Sequence, residues 1–357
     1  VPALFDPLTI RNLTFRNRIW VAPMCQYSVF EEDGVPTSWH LVHLGALATG
    51  GSALVITEAT AVTADGRISP RDTGIWNDAQ RDAWRPIVDF IHSQGAAAGI
   101  QLAHAGRKAS TYPAWGYEER GTVPVSAGGW QTLSASAVPF PHYDAPRAAS
   151  VDEIDAVVKN FTAAALRAVD AGFDLLELHA AHGYLLHQFL SPLSNERTDE
   201  YGGSLENRAR LLLRIIVSIR AAVGDTIPLL VRFSATDWTE GGWDEEQTST
   251  VAGWARDAGA DFFDISTGGN VSANIPLGPG YQVRFADYVR SHAEVSTSAV
   301  GLITEPHQAA DIIASGQADV VMLARELLRD PHWPLRAARE LGVEIDYWPG
   351  QYLRARP

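Results

Sequence analysis

Cysteine, basic charge and long apolar runs are all scarce in this chain. Cys25 is the single cysteine among 357 residues, so no intrachain disulfide can form. The four thiolates that commonly hold an iron–sulfur cluster are missing for the same reason. Lys and Arg number 28 against 42 Asp and Glu, a formal charge of −14. No basic block breaks that surplus, which argues against nucleic acid as a partner, because phosphates are neutralised by clustered Lys and Arg. No run of about 18 apolar residues occurs, so no membrane span is expected. The opening VPALFDPLTIRNLTF lacks the basic-then-apolar order of a signal peptide, and a cytoplasmic location is expected. There is no internal repeat and no low-complexity linker, so residues 1–357 read as one domain.

What the chain does have is alternation. Short Val/Ile/Leu-rich runs at 19–24, 53–57, 97–102, 175–179, 228–233, 261–266, 298–301 and 318–323 predict strands. Helix-period segments at 39–49, 78–93, 151–171, 205–223, 245–258, 281–292, 305–315 and 331–340 fall between and after them. Caps mark several boundaries: Ser150 with Glu153 forms a capping box, Asp330 precedes Pro331, Thr304 precedes the seventh helix, and Gly172 and Gly224 follow two others. Eight strands alternating with eight helices predict an α/β fold of the (β/α)8 TIM-barrel type. The rival is a doubly wound sheet, but no G-x-G-x-x-G turn follows the first strand. Residues 1–18 alternate about Arg11-Asn12 and predict an N-terminal β-hairpin that plugs the barrel bottom. Residues 105–149 form a long Pro-, Gly- and Trp-containing insertion after the third strand, the length of a lid.

In such barrels chemistry sits at the C-terminal strand ends. Met24-Cys25-Gln26-Tyr27, Glu58-Ala59, Gln101, His104, His179, Arg232, Val300-Gly301 and Ala324-Arg325 fall there. The loops after strands seven and eight commonly bind phosphate, and Arg325 adds a bidentate donor; the plainer reading is a surface ion pair. His179 and His182 lie three apart, with Tyr184 two further on. Two imidazoles on one turn can donate to one carbonyl oxygen, and a phenol keeps its proton at pH 7 to act as a general acid. The same histidines also read as metal ligands awaiting a third partner, or as structural residues. His40 and His43 lie on an apolar helix and read as structural. Cys25 reads either as a small buried hydrophobe or as a functional thiol at the site.

At this point longer motifs matter. HAAHGYLLHQFLSPLSNERTDEYGGSLENRAR from His179 to Arg210 resembles the signature of the old yellow enzyme family of flavin-dependent ene-reductases. LFDPLTIRNLTFRNRI, APMCQYS, WHLVHLGALATGG, ITEATAV, GIQLAHAGRKAS, AVGLITE and LARELLRDPHWP agree with it along essentially the whole chain. Cys25-Gln26-Tyr27 and the C-terminal Gln351-Tyr352 are similar to the thermophilic-like branch and to its xenobiotic reductases.

The resemblance implies a barrel holding FMN non-covalently and reduced by NADPH or NADH. It implies that Ala22, Pro23, Met24 and Cys25 line the flavin, that Ala59, Gln101 and Arg232 contact its ring, and that Gly301, Ala324 and Arg325 hold its phosphate. His179 and His182 become the clamp for a substrate carbonyl, Tyr184 the proton donor and Tyr27 a pocket wall. The substrates implied are enones, enals, maleimides or nitro compounds, turned over by ping-pong kinetics. A homodimer or homotetramer is implied, in which the tail at 341–357 brings Arg354 near a neighbouring active site; the plainer reading is a frayed end. Ala324-Arg325 departs from the usual Gly-Arg pair, and Val300 stands where xenobiotic reductases carry Trp. The competing function is a metal-dependent barrel hydrolase built on the histidine pair.

Overall fold

The computed structural model describes residues 3–356. Eight parallel strands close into a barrel. They are β1 (Ile19–Val21), β2 (Leu54–Ala61), β3 (Ala97–Ala103), β4 (Leu175–Ala180), β5 (Leu229–Ser234), β6 (Phe262–Ser266), β7 (Thr297–Ala299) and β8 (Val320–Leu323). Each pairs in parallel with its successor, and β8 closes on β1 through Met322 opposite Trp20. The expected (β/α)8 barrel is thus the observed fold. Every residue of the eight strands except Ala97 is buried, as parallel strands between an inner core and an outer helical ring should be.

The outer ring includes α1 (Ser38–Thr49), α2 (Asp78–Ser93), α3 (Val151–Asp170), α4 (Leu185–Leu190), α5 (Leu205–Val223), α6 (Glu245–Ala258), α7 (Val283–Ala293), α8 (Pro306–Ala314), α9 (Arg325–Arg329) and α10 (Trp333–Glu340). Of the helices with a side-chain N-cap, α2, α3, α5 and α6 start where the sequence predicts, and α1, capped by Thr37, starts one residue earlier. The Ser150–Glu153 capping box is present on α3, and Asn77, Ser204 and Asp244 cap α2, α5 and α6. Two caps differ from expectation. Thr304 does not cap α8, whose N-cap is Glu305 with Pro306 following. The last helix starts at Trp333 rather than Pro331, because Asp330 accepts the His332 N–H at 3.0 Å and holds a turn ahead of it.

The N-terminal hairpin pairs Leu8–Ile10 with Leu13–Phe15 around Arg11. Its Ile10 and Phe15 join Trp20, Leu54, Leu175, Leu230, Phe262 and Val320 in one apolar cluster inside the barrel. Phe15, Trp20 and Phe262 pack as tilted rings with centroids 4.6 and 5.0 Å apart. The bottom is therefore plugged, as the alternation at 1–18 predicts. Above the plug the interior turns polar: Gln101, Glu177, Arg232, Asp264 and Ser298 are buried on strands β3 to β7.

The insertion between β3 and α3 folds back over the barrel top. Arg107 donates to the carbonyls of Asn270 (2.5 Å) and Val138 (3.0 Å). Trp115 Nε1 donates to the Gln26 carbonyl at 2.9 Å, tying the insertion to the loop after β1.

Candidate active site

The strand-end residues converge on one mouth. β4 ends at Ala180, and the chain then turns through His182 (φ +58°) and Gly183 (φ +73°) into α4. Gly183 is required there: a Cβ would stand 2.3 Å from the Gly269 carbonyl oxygen. Gly269 is equally constrained, since its own Cβ would lie 2.6 Å from the His182 Cα. Two backbones, one after β4 and one after β6, thus pass in contact.

Lys108 stitches that contact. Its ammonium donates to the His182 and Gly269 carbonyls, each at 2.8 Å, and lies 5.2 Å from the Tyr184 ring centroid. Burial, with Arg107 adding repulsion, brings its pKa down to about 7. His187 supports the turn from below. It accepts the Gly183 N–H at 3.0 Å through Nδ1 and pairs through Nε2 with buried Asp237 at 2.9 Å.

His179, His182 and Tyr184 come together. The His179 ring centroid is 5.2 Å from that of His182, at 90°, and 4.9 Å from that of Tyr184. Burial, with Arg232 adding to it, holds both imidazoles well below the usual histidine range, so both are neutral at pH 7. Each neutral ring carries one N–H. His179 Nδ1 accepts the Ala181 N–H at 3.4 Å, which assigns the proton to Nε2. His182 Nε2 lies 2.8 Å from Ser266 Oγ. Burial raises the Tyr184 phenol well above 10, so it stays protonated. No group of three His, Cys, Asp or Glu side chains with metal-holding geometry is found among the described residues. The histidine pair therefore gathers no third ligand here.

Cys25, Tyr27 and Tyr184 pack with Ala59, Ala103 and Trp130 in a small cluster beneath the insertion. Burial lifts the Cys25 thiol well above its ordinary value, so it is protonated at neutral pH. Ala22 is buried at the end of β1, and Pro23 and Met24 follow half-buried. Ala59 sits where the β2–β3 register shifts, opposite Gln101.

Arg232 is buried on β5 with Nε 2.8 Å from Asp264. Among the described residues its terminal nitrogens have no hydrogen-bond partner. Gln101 Nε2 donates to Glu177 Oε1 at 2.8 Å.

A cavity of about 120 Å³ opens at the ends of β7 and β8, lined by Gln282, Gly301, Leu302, Ala324, Arg325 and Arg329 among others. Gly301 has φ +118°, and a Cβ there would meet Gln282 Nε2 at 2.7 Å. Arg325 is exposed and has no ion-pair partner among the described residues, unlike most arginines of the chain. The donor set fits FMN: a free guanidinium for the phosphate at the β7/β8 cavity, and the terminal nitrogens of buried Arg232, which Asp264 meets only at Nε, for the electron-rich edge of the ring.

Arg354 stands apart. It lies in the exposed turn Gly350–Ala355, while the start of the tail docks on the opposite barrel rim, where the Tyr347 hydroxyl meets Asn17 at 3.0 Å. His40 meets buried Glu58 at 2.8 Å and accepts the Thr37 N–H, contacts of the kind a structural histidine makes. Lys108, Glu177, Asp264 and Ser266 escaped the sequence reading. Only GRKAS directly after a strand, and the in-strand carboxylates of LLELH and FFDIS, hinted at them.

Comparison with known proteins agrees with this arrangement. Residues 3–344 match the NADH:flavin oxidoreductase / NADH oxidase family. The chain is 46% identical over 353 residues to an NADPH dehydrogenase of Bacillus cytotoxicus, covering 99% of this chain and 96% of that one. It is 46% identical over 353 residues to an NADPH dehydrogenase of Listeria innocua, covering 99% and 98%. Among solved structures, an old yellow enzyme homologue from Zymomonas mobilis superposes with TM-score 0.81 at 28% identity, covering 100% of this chain and 99% of that one. Morphinone reductase in complex with tetrahydroNAD gives 0.78 at 28%, covering 97% and 92%. A 2-naphthoyl-CoA reductase gives 0.86 at 27%, covering 95% of this chain, which spans about half (52%) of that larger one. With a flavin-fitting donor set at its strand ends and relatives matched along nearly their whole length, the chain belongs to the old yellow enzyme family of FMN-dependent NAD(P)H oxidoreductases.

Proposed function

We propose that the protein is an ene-reductase that reduces the activated C=C bond of α,β-unsaturated carbonyl compounds. The observation that carries this is the convergence of two neutral histidines and a protonated tyrosine on one mouth. The hydride chemistry that would link NADPH or NADH to the substrate β-carbon would be supplied by FMN held at these strand ends.

The chain's own residues do the rest. His179 presents Nε2–H, and His182, held with Nε2 2.8 Å from Ser266 Oγ, stands beside it; together they hold the carbonyl oxygen and stabilise the charge that grows on it. Tyr184 delivers a proton to the α-carbon. Arg232 offers positive charge to the ring, and Asp264 fixes its orientation. Ala22, Pro23, Met24, Cys25, Ala59 and Gln101 form the flavin's bed, and Gly301, Ala324 and Arg325 its phosphate site. Tyr27 and the insertion at 105–149 wall the substrate side, which enals, enones, maleimides and nitro compounds would enter. Arg354, exposed and without an ion-pair partner among the described residues, is assigned to a neighbouring subunit's mouth in a homodimer or homotetramer.

The test is an anaerobic visible spectrum followed through NADPH and then cyclohexenone. Flavin bands that bleach with NADPH and return with the enone support the reading. Bleaching without return overturns the enone-reductase assignment. Tyr184→Phe should slow the second phase and spare the first; two unchanged phases would remove Tyr184 as donor.

A further inference from the structure

Glu177 is the one acidic side chain of β4 and points into the barrel, on the same face of the strand as His179. It is fully buried. Oε1 accepts from Gln101 at 2.8 Å, but Oε2 has no hydrogen-bond partner. A carboxylate oxygen left bare in a protein interior is costly, whereas a neutral acid leaves far less charge undressed. The neighbours sharpen the point. Strand pairing sets Gln101 opposite Glu177, His179 opposite Arg232, and Arg232 opposite Asp264. Arg232 is engaged by Asp264 at 2.8 Å, and Asp264 also accepts from Ser298 Oγ at 2.8 Å.

One guanidinium thus lies near two buried carboxyl groups, and only Asp264 pairs with it directly. The charged and titratable groups around Glu177 are Arg232 from β5, Asp264 from β6 and neutral His179 from β4 itself. β3 contributes only the amide of Gln101, and β1 and β8 bring apolar Ala22 and Met322 to the interior. Burial first, and the Asp264 charge second, raise the Glu177 carboxyl, with Arg232 opposing.

We propose that Glu177 is a positioning and tuning residue that is held as a neutral acid beside Arg232, so that its ionisation adjusts the net charge beneath the flavin and with it the flavin's potential. The proposal rests on the flavin reading above. With Glu177 neutral, the Arg232–Asp264 pair is balanced and the guanidinium's free edge can meet the negative charge that reduction adds to the ring. With Glu177 ionised, the cluster carries one negative charge, and reduction becomes harder. By linkage, the reduced protein holds the Glu177 proton more tightly than the oxidised one. Between the two pKa values, reduction takes up one additional proton per two electrons. The midpoint potential then steepens by about 30 mV per pH unit, the two-electron equivalent of a tenfold change.

The experiment is the midpoint potential of the FMN-bound protein from pH 6 to 10, in wild type and Glu177→Gln. The glutamine keeps an acceptor for Gln101 and cannot ionise. The expected result is a steepened segment above neutrality in wild type and a single slope in the variant. A single slope in wild type, or a steepened segment that persists in Glu177→Gln, overturns the proposal. Should the glutamine variant fail to fold, Glu177→Asp is used: it must displace the segment, and an unmoved segment overturns the proposal equally. Failure of the wild type to take up FMN at all overturns the flavin reading, a different outcome from a bound flavin with one slope.

Discussion

Gly183→Ala tests whether the turn after β4 is built by backbone contact. Two costs are readable from the geometry. At φ +73° an alanine gives up about 1–2 kcal/mol to the left-handed conformation. Its Cβ would also stand 2.3 Å from the Gly269 carbonyl oxygen, and both sides of that contact are backbone. Restoring van der Waals distance requires a displacement of roughly 1 Å, and over-packing of this kind costs about 1–3 kcal/mol. The sum is about 2–5 kcal/mol, a large share of a typical stability of about 5–15 kcal/mol. Gly203→Ala is the control: φ is +81° there, but nothing lies within 4 Å of the added Cβ, so only the conformational cost applies. Denaturant unfolding should place Gly183→Ala about 1–3 kcal/mol below Gly203→Ala. A displaced turn also moves His182, so affinity for a phenolic ligand should fall in the first variant and not in the second. If the two variants match in both stability and phenol affinity, the close approach does not organise the site.

Three further outcomes follow from the same neighbourhood. Asp237→Asn removes the buried carboxylate that accepts the His187 Nε2–H at 2.9 Å, and a hydrogen bond to a charged group is worth about 1.5–3 kcal/mol; a loss under about 0.5 kcal/mol in denaturant unfolding would contradict it. Lys108 has its pKa brought down to about 7 by burial, against about 10.4 in an unfolded chain. The unfolded state therefore holds more protons across that window, and the lysine's contribution improves as pH rises from about 7 toward 10. The stability difference between wild type and Lys108→Met should accordingly shift in favour of wild type over that range, and a pH-independent difference would refute it. His179→Ala combined with His182→Ala should weaken binding of a phenol by at least tenfold, read by titration of the flavin spectrum; unchanged affinity would defeat the clamp assignment.

Much of this architecture was legible in the chain, and for identifiable reasons. α2, α5 and α6 begin and end where the sequence places them, because Asn77, Ser204 and Asp244 supply side-chain caps at their starts. α10 was set two residues early, because Asp330 caps a turn rather than the helix itself. β1 stops at Val21 rather than Met24: Ala22 makes one last bond to Leu323, and the chain then leaves the ladder. On the site, His179, His182 and Tyr184 announce themselves because a single turn gathers them. Lys108, Asp264 and Ser266 do not, because their meaning lies in other strands. Lys108 matters only once the loops after β4 and β6 touch, and no local pattern encodes that contact.

The barrel interior explains why those hidden residues can exist at all. Most barrels of this kind fill their interior with branched apolar side chains. Here the apolar layer is confined to the bottom, where the hairpin's Ile10 and Phe15 complete it. The plug closes the lower end and the layer above it is buried, so every charge placed there must find a partner or give up its charge. Arg232 finds Asp264, Asp264 also takes Ser298, and Gln101 takes one oxygen of Glu177. Among the described residues, no hydrogen bond or ion pair engages the terminal nitrogens of Arg232, and one oxygen of Glu177 has no hydrogen-bond partner. The first is a demand for a ligand with an electron-rich edge, and the second is a demand for a proton. The hairpin, far from any reacting atom, thus creates the low-dielectric floor on which both demands become strong, and it links a sequence pattern in the first 18 residues to the electrostatics of the site.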